Sequence, residues 1–213
     1  MPEATEQSLM ALALALAGRP LGALVSADAA RGKGAMGALI ERALGVVPSS
    51  RPEPDVPELG VEVKTVPVKL GRVAESTWVC TAAPASLVEE TWASSRARAK
   101  LARVLFVPID VAAATLTERR VGTPFLWSPS VDDEAVLRRD WEDLADLVAH
   151  GLSSSVSARR GCALQLRPKA KDASVRRRAS TVEGDGYLAR PQGFYLRRTF
   201  VQGIVDRVFA RDG

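Results

Sequence analysis

Residues 51–66 read Arg51-Pro-Glu-Pro-Asp55-Val-Pro-Glu-Leu-Gly60-Val-Glu62-Val-Lys64-Thr-Val66, and the rest of the chain can be arranged around them. The run opens in a proline-rich turn and passes into a strand pattern. Val61, Val63 and Val66 supply its apolar positions, while Glu62 and Lys64 share the opposite face. Asp55 precedes Glu62 by seven residues, so a turn between them can fold Asp55 back beside the strand. Two carboxylates brought together repel, and a divalent cation relieves the repulsion. Oxygen-only ligands suit Mg2+. Lys64, on the face of Glu62, is placed to orient or activate a water, or to offset charge building on a phosphate. The same pattern also suits a plain surface strand edge with a cross-paired Glu and Lys, and spacing by itself leaves both readings open.

Asp55, Glu62 and Lys64 resemble the PD-(D/E)xK nuclease signature, which is short and degenerate. The text around them is more specific. Leu59-Gly-Val-Glu-Val-Lys-Thr-Val-Pro-Val68 is similar to the corresponding stretch of the MutH family, the strand-nicking endonucleases of methyl-directed mismatch repair. The resemblance runs from Arg31-Gly-Lys-Gly34 to Gly193-Phe-Tyr-Leu196. It implies a mixed α/β fold of the restriction-endonuclease class: a central mixed sheet flanked by helices, in two lobes that form a DNA cleft. Residues 1–213 are then one bilobed endonuclease domain, with 1–150 as the catalytic body and 151–213 as the basic recognition region. The implied reaction is Mg2+-dependent hydrolysis of one phosphodiester, nicking the unmethylated strand of double-stranded DNA at hemimethylated GATC sites. A monomer would cut one strand, and the mismatch-repair ATPase MutL would stimulate it, since the chain carries no ATPase motif of its own.

The resemblance also assigns site residues. Glu41, by position alone a surface glutamate, matches the helix-borne acid at the edge of the metal site, so Asp55, Glu62 and Glu41 form the expected metal group. Lys100 resembles the family's second lysine near that site. Lys33, in the flexible basic turn Arg31–Gly34, becomes a candidate contact to DNA phosphate or to the active site, with a solvated loop as the other reading. Arg167-Pro-Lys169-Ala resembles a recognition-loop run, and Gly193-Phe-Tyr195-Leu-Arg197-Arg matches the methylation-sensing segment. Alternation sends Phe194 and Tyr195 to opposite sides, with the phenol on the polar one.

Charge is unevenly spread. Residues 1–150 carry 16 basic and 20 acidic side chains, whereas residues 151–213 carry 13 basic and 5 acidic. A basic C-terminal third beside a more acidic body suits a polyanionic substrate. Its densest patch is Arg176, Arg177 and Arg178 with Lys169 and Lys171. Arg96, Lys100 and Arg103 recur at near-helical spacing and can reach a phosphate backbone. Ordinary solvated charge is the alternative for these groups. Two cysteines, Cys80 and Cys162, form neither a metal cluster nor a disulfide scaffold, and the single His150 argues against a histidine zinc site. The apolar run Leu9–Ala17 is too short to span a membrane and follows Glu3 and Glu6 rather than a basic segment, so a cytoplasmic protein is expected.

The periodicity predicts helices over 3–17, 36–44, 132–149 and 199–209, and strands over 75–83, 104–109 and 162–169. Lys69-Leu-Gly-Arg72 is read as a hairpin turn, Gly151–Ser157 as a hinge, and Asp132 or Asp133 as the cap of the long helix. Trp78 is read as a core residue. Two further function classes remain at this stage. A noncatalytic DNA-binding repair scaffold would explain the basic third but not the acid–lysine triple. A related homodimeric type II restriction endonuclease would need a self-association surface.

Overall fold

In the computed structural model, residues 5–24, 34–47, 52–152, 157, 159–169, 177–180 and 186–210 are described, side chains excepted at 177–180 and 187–189. The chain falls into two compact units: residues 1–75 with 99–128, and residues 76–98 with 129–213. This spatial division does not follow the chain-order boundary at residue 150, because the chain leaves the first unit after its first hairpin and later returns.

The first unit is built on β1 (Glu62–Lys69), which pairs in parallel with β4 (Val104–Asp110) from Glu62↔Val104 to Val68↔Asp110. The sheet is completed by β2 (Arg72–Val73) on β1, and by β5 (Arg120–Val121) and β6 (Phe125–Trp127) on β4, all antiparallel. Leu70 and Gly71 make the β1–β2 turn with φ of 50° and 73°. Both central residues of the tight turn that matches strand twist need positive φ, and Leu70 takes it without glycine's freedom.

Both faces of β1 are covered, as a parallel strand requires. Val61 and Val63 join Leu105, Val107 and Ile109 in a core with Leu9, Ala13 and Leu16 along α1 (Glu6–Leu14) and the turn after it, and with Leu39, Ile40 and Leu44 along α2 (Ala35–Ala43) and its C-cap. Val66 lies outside that cluster: by strict alternation it shares the side of Glu62 and Lys64 and corrects the sequence reading. Phe106, also outside that cluster, stacks at 5.4 Å from Phe125 and 5.8 Å from Trp127. α1 is shorter than expected. Thr5 caps it through Ser8, and Arg103 clamps Glu6 with two hydrogen bonds, which takes Arg103 out of the set of solvated cations.

The second unit carries an antiparallel sheet in the order β3 (Thr77–Ala82), β10 (Gln192–Leu196), β7 (Leu164–Pro168), and a hairpin of β8 (Arg177–Ser180) and β9 (Gly186–Ala189). Leu164, Leu166, Phe194, Leu196 and Cys80 are buried in this unit together with Leu137, Leu144 and Val148 of α5 (Val131–Ala149) and Val201 and Ile204 of α6 (Arg198–Phe209). Short helices α3 (Pro84–Leu87) and α4 (Arg96–Leu101) lie between β3 and β4 in sequence. The cap of α5 is Ser130 rather than Asp132 or Asp133. Asp133 instead sits three residues in, accepts from the Ser130 N–H, and is gripped by Arg207. Asp140, on α5, accepts the N–H groups of Cys162, Ala163 and Leu164 and so fixes the turn into β7. His150 is the C-cap of α5. Most of the expected hinge at 151–157 lies outside the described residues. Among the described residues no helix is long and apolar enough to cross a membrane.

Candidate active site

The turn between Asp55 and Glu62 forms as the sequence suggests. Val56 and Val61 bridge each other through both backbone hydrogen bonds, Pro57–Leu59 makes one 3-10 turn, and Gly60 reverses the chain at φ 62°. The reversal lays Asp55 along β1, where its Oδ2 accepts the Val63 N–H at 3.0 Å. The carboxylate thus takes the place that a neighbouring strand would occupy.

Glu62 is 4% exposed and Lys64 is 5% exposed, so the surface-edge reading fails. Glu62 divides its two oxygens between two ammoniums: Oε1 accepts from Lys64 Nζ at 2.9 Å and Oε2 from Lys100 Nζ at 2.6 Å. Lys100, near the end of α4, is itself buried and stands 3.9 Å from Asp55 Oδ1. Glu41, on α2, faces the same group electrostatically. Burial, then Asp55 and Glu62, raise its carboxyl above the ordinary range, against Lys64 and Lys100. Burial and then Glu62 push Asp55 upward as well, against the Val63 N–H and the two lysines. The structure therefore brings together Glu41, Asp55, Glu62, Lys64 and Lys100 in one unit. Three carboxylates against two ammoniums leave a negative balance once all are ionised.

As the side chains stand, no three His, Cys, Asp or Glu groups among the described residues converge closely enough to hold an ion. Both oxygens of Glu62 are given to lysines instead. The donor set still matches a hard divalent cation in kind: oxygen only, partly desolvated, and short of positive charge. The fit is one of donor chemistry and charge.

A second cluster lies on the polar side of the β3–β10–β7 sheet. Tyr195 is half-buried while Phe194 is fully packed, as alternation predicts. The Tyr195 ring meets Trp78 edge-on at 5.1 Å, and the Arg167 guanidinium lies 5.6 Å from its centroid. Lys169 Nζ sits 5.0 Å from the Trp78 ring centroid and donates to Thr81 Oγ1. Burial raises the phenol above its usual value, with Arg167 acting the other way. Trp78 is thus not a simple core residue: it is the platform for Tyr195 and Lys169. Gly193 makes room for it, since a Cβ there would come within 2.0 Å of the indole.

Arg197 stands at the N-cap position of α6, and its side chain donates to the Arg160 carbonyl. Arg96 begins α4, with its N–H on the Glu90 carboxylate. Lys33 and Arg176 lie outside the described residues, and Arg177 and Arg178 are placed only by their backbone pairing in β8. Trp78, Gly193, Ser76 and Gln165 were missed in the sequence as members of this polar cluster, in which Ser76 Oγ accepts from Gln165 Nε2. An aromatic beside a glycine across a strand pair was the one available signal, and it needs the pairing to be known.

Comparison with known proteins places these residues in context. The family model described as MutH, DNA mismatch repair enzyme, matches residues 44–140, which include Asp55, Glu62, Lys64 and Lys100. The chain is 42% identical over 217 residues to the DNA mismatch repair protein MutH of Serratia proteamaculans (strain 568), covering 98% of this chain and 95% of the relative. It is 43% identical over 217 residues to the protein of the same name from Salmonella paratyphi B, covering 98% and 94%. For that of Pectobacterium atrosepticum the identity is 43% over 213 residues, covering 96% and 92%.

Proposed function

The chain belongs to the MutH family, the strand-nicking endonucleases of DNA mismatch repair, and on that premise we propose that it cuts the unmethylated strand at hemimethylated GATC sites, as a cytoplasmic monomer that uses Mg2+ and answers to the ATPase MutL. The observation that carries the chemistry is Glu62 held between Lys64 and Lys100 with Asp55 beside it. Asp55, Glu62 and Glu41 are the groups that would hold Mg2+. When bound, the cation supplies Lewis-acid polarisation of the phosphate.

The chain's own groups do the rest. Glu62 would offer a lone pair to the cation while Lys64 and Lys100 hold its carboxylate in place. The Lys64 ammonium would orient the attacking water and offset the charge that develops on the phosphate. Lys100 stays between Asp55 and Glu62 and holds their orientation. Tyr195, Arg167 and Lys169 face the DNA, with the Tyr195 ring disfavouring the extra methyl of N6-methyladenine in the major groove. Arg96, Lys33 and the Arg176–Arg178 patch contact phosphates, which position the duplex without reading it. One reactive centre in one chain gives one cut.

A supercoiled plasmid with unmethylated, hemimethylated or fully methylated GATC sites, incubated with Mg2+, tests the reading. Nicked circles from the first two and little product from the third are expected. Linear product appearing without a nicked precursor would favour a paired restriction enzyme, and absence of cleavage with intact DNA binding would favour a scaffold.

A further inference from the structure

Ser76 enters β3 on the polar face and is partly buried. Its Oγ accepts two hydrogen bonds, from Gln165 Nε2 at 2.6 Å and from Arg167 Nη1 at 3.3 Å. A hydroxyl oxygen has two lone pairs and one hydrogen. With both lone pairs taken and Cβ in the third direction, the remaining tetrahedral direction belongs to the hydroxyl proton. Among the described residues the Ser76 hydroxyl donates no hydrogen bond. Gln165 is 7% exposed, so the amide that fixes this arrangement is itself held in place. Arg167 and Lys169, on the same face, carry donors and no side-chain acceptor. With Ser76 they present donors to an acceptor-rich ligand, beside the hydroxyls of Tyr195 and Thr81.

We propose that Ser76 is a DNA-contacting residue that donates its oriented hydroxyl proton to an acceptor atom of bound duplex DNA, with Gln165 as the positioning residue that sets the direction of that proton. This rests on the DNA-cleaving reading above. Two sources offer the same chemistry: a nonbridging phosphate oxygen, or a major-groove acceptor such as a purine N7 or guanine O6.

The test pairs protein variants with altered DNA. Binding by fluorescence anisotropy without metal, and single-turnover nicking with Mg2+, are measured on a GATC duplex for wild type, Ser76→Ala and Ser76→Thr. Ser76→Ala should lose about 5–10-fold in each, the ordinary worth of one hydrogen bond. Ser76→Thr, which keeps the hydroxyl, should recover most of it; circular dichroism should show both variants folded, with the midpoint of Ser76→Thr near wild type and that of Ser76→Ala lowered because the buried Gln165 amide loses its acceptor.

The same measurements are then made on duplexes that lack one acceptor at a time, through 7-deazapurines, an O6-deleted guanine analogue or single methylphosphonates. One such duplex should cost wild type as much as the Ser76→Ala change and cost the variant nothing further. A base analogue with that property identifies a base contact, and a methylphosphonate identifies a phosphate contact. Full activity of Ser76→Ala, no recovery with Thr, or losses that add with every analogue would overturn the proposal while leaving the nuclease reading intact. Wild-type protein that binds the duplex but does not nick it would sink the nuclease reading alone, because the binding arm still reports on Ser76. Wild type that binds no DNA overturns both.

Discussion

Glu62 contributes one oxygen to each of two lysines, and removing a buried carboxylate so placed takes the hydrogen-bond acceptor from two ammoniums at once. Glu62→Ala or Asp55→Ala should lower Mg2+-dependent nicking by at least about 10^2-fold, the scale of losing one group aimed at the reacting centre, while DNA binding stays measurable. Near-normal nicking by a folded Asp55→Ala protein would remove these residues from the site. Glu41 and Asp55 make a different prediction. Both have folded-state pKa values raised by burial and by neighbouring carboxylates. A carboxyl raised on folding contributes stability that is present below its unfolded pKa and lost as pH rises through the folded one. At pH 7 these charged acids therefore weaken the metal-free fold. Glu41→Gln should melt higher than wild type at pH 7 without metal, and the difference should shrink as pH falls through the carboxylate range. Mg2+ should raise the midpoint of wild type more than that of the variant. Differential scanning fluorimetry across pH measures all of this, and a variant that melts lower at pH 7 without metal would show the opposite sign.

At the scale of elements, α5 and β7 are joined at Asp140, whose Oδ2 meets three successive backbone N–H groups at 2.7, 2.5 and 3.0 Å. Gly161 precedes them at φ 85°, where any Cβ would strike the Leu164 carbonyl. Asp140→Ala should cost about 3 kcal/mol, because buried donors are left without an acceptor, and Asp140→Asn should cost less because one acceptor oxygen remains. Urea titration compares them, and equal midpoints for Ala and wild type would show the turn to be held by other contacts. On β10, Tyr195→Ser should narrow the ratio of single-turnover rates on unmethylated and fully methylated GATC duplexes, whereas Phe194→Ser, at a fully packed position, should mainly lower stability. An unchanged ratio for Tyr195→Ser would place methyl discrimination elsewhere. Strand alternation gave the opposite facing of these two rings. It could not give the company Tyr195 keeps, since Trp78 and Arg167 arrive from two other strands.

For the whole molecule, the basic excess of residues 151–213 argues for phosphate contacts that are sensitive to salt. Neutralising Arg176, Arg177 and Arg178 together should weaken binding to all duplexes roughly alike and flatten the dependence of affinity on salt, with about one unit of slope lost per phosphate contact removed. Anisotropy titrations at several ionic strengths measure the slope. Unchanged affinity and slope would leave the patch as a solvated face or a site for a protein partner.

The sequence by itself determined what depends on near neighbours. The Pro–Gly turn that returns Asp55 to β1, the Leu70-Gly71 hairpin, the long helix over 131–149 and the alternation of Phe194 with Tyr195 all follow from spacings of two to eight residues. Glu41 and Lys100 were reachable only through family resemblance, because nothing local distinguishes them from surface charges. Tertiary structure decided the rest. It buried Glu62 and Lys64, because β1 lies inside a sheet covered on both faces. It brought Lys100 to Glu62 across 38 residues and Gln165 to Ser76 across 89. Those pairs are fixed by strand partners and packing distant in sequence, and local periodicity carries no information about which distant strand comes to lie alongside.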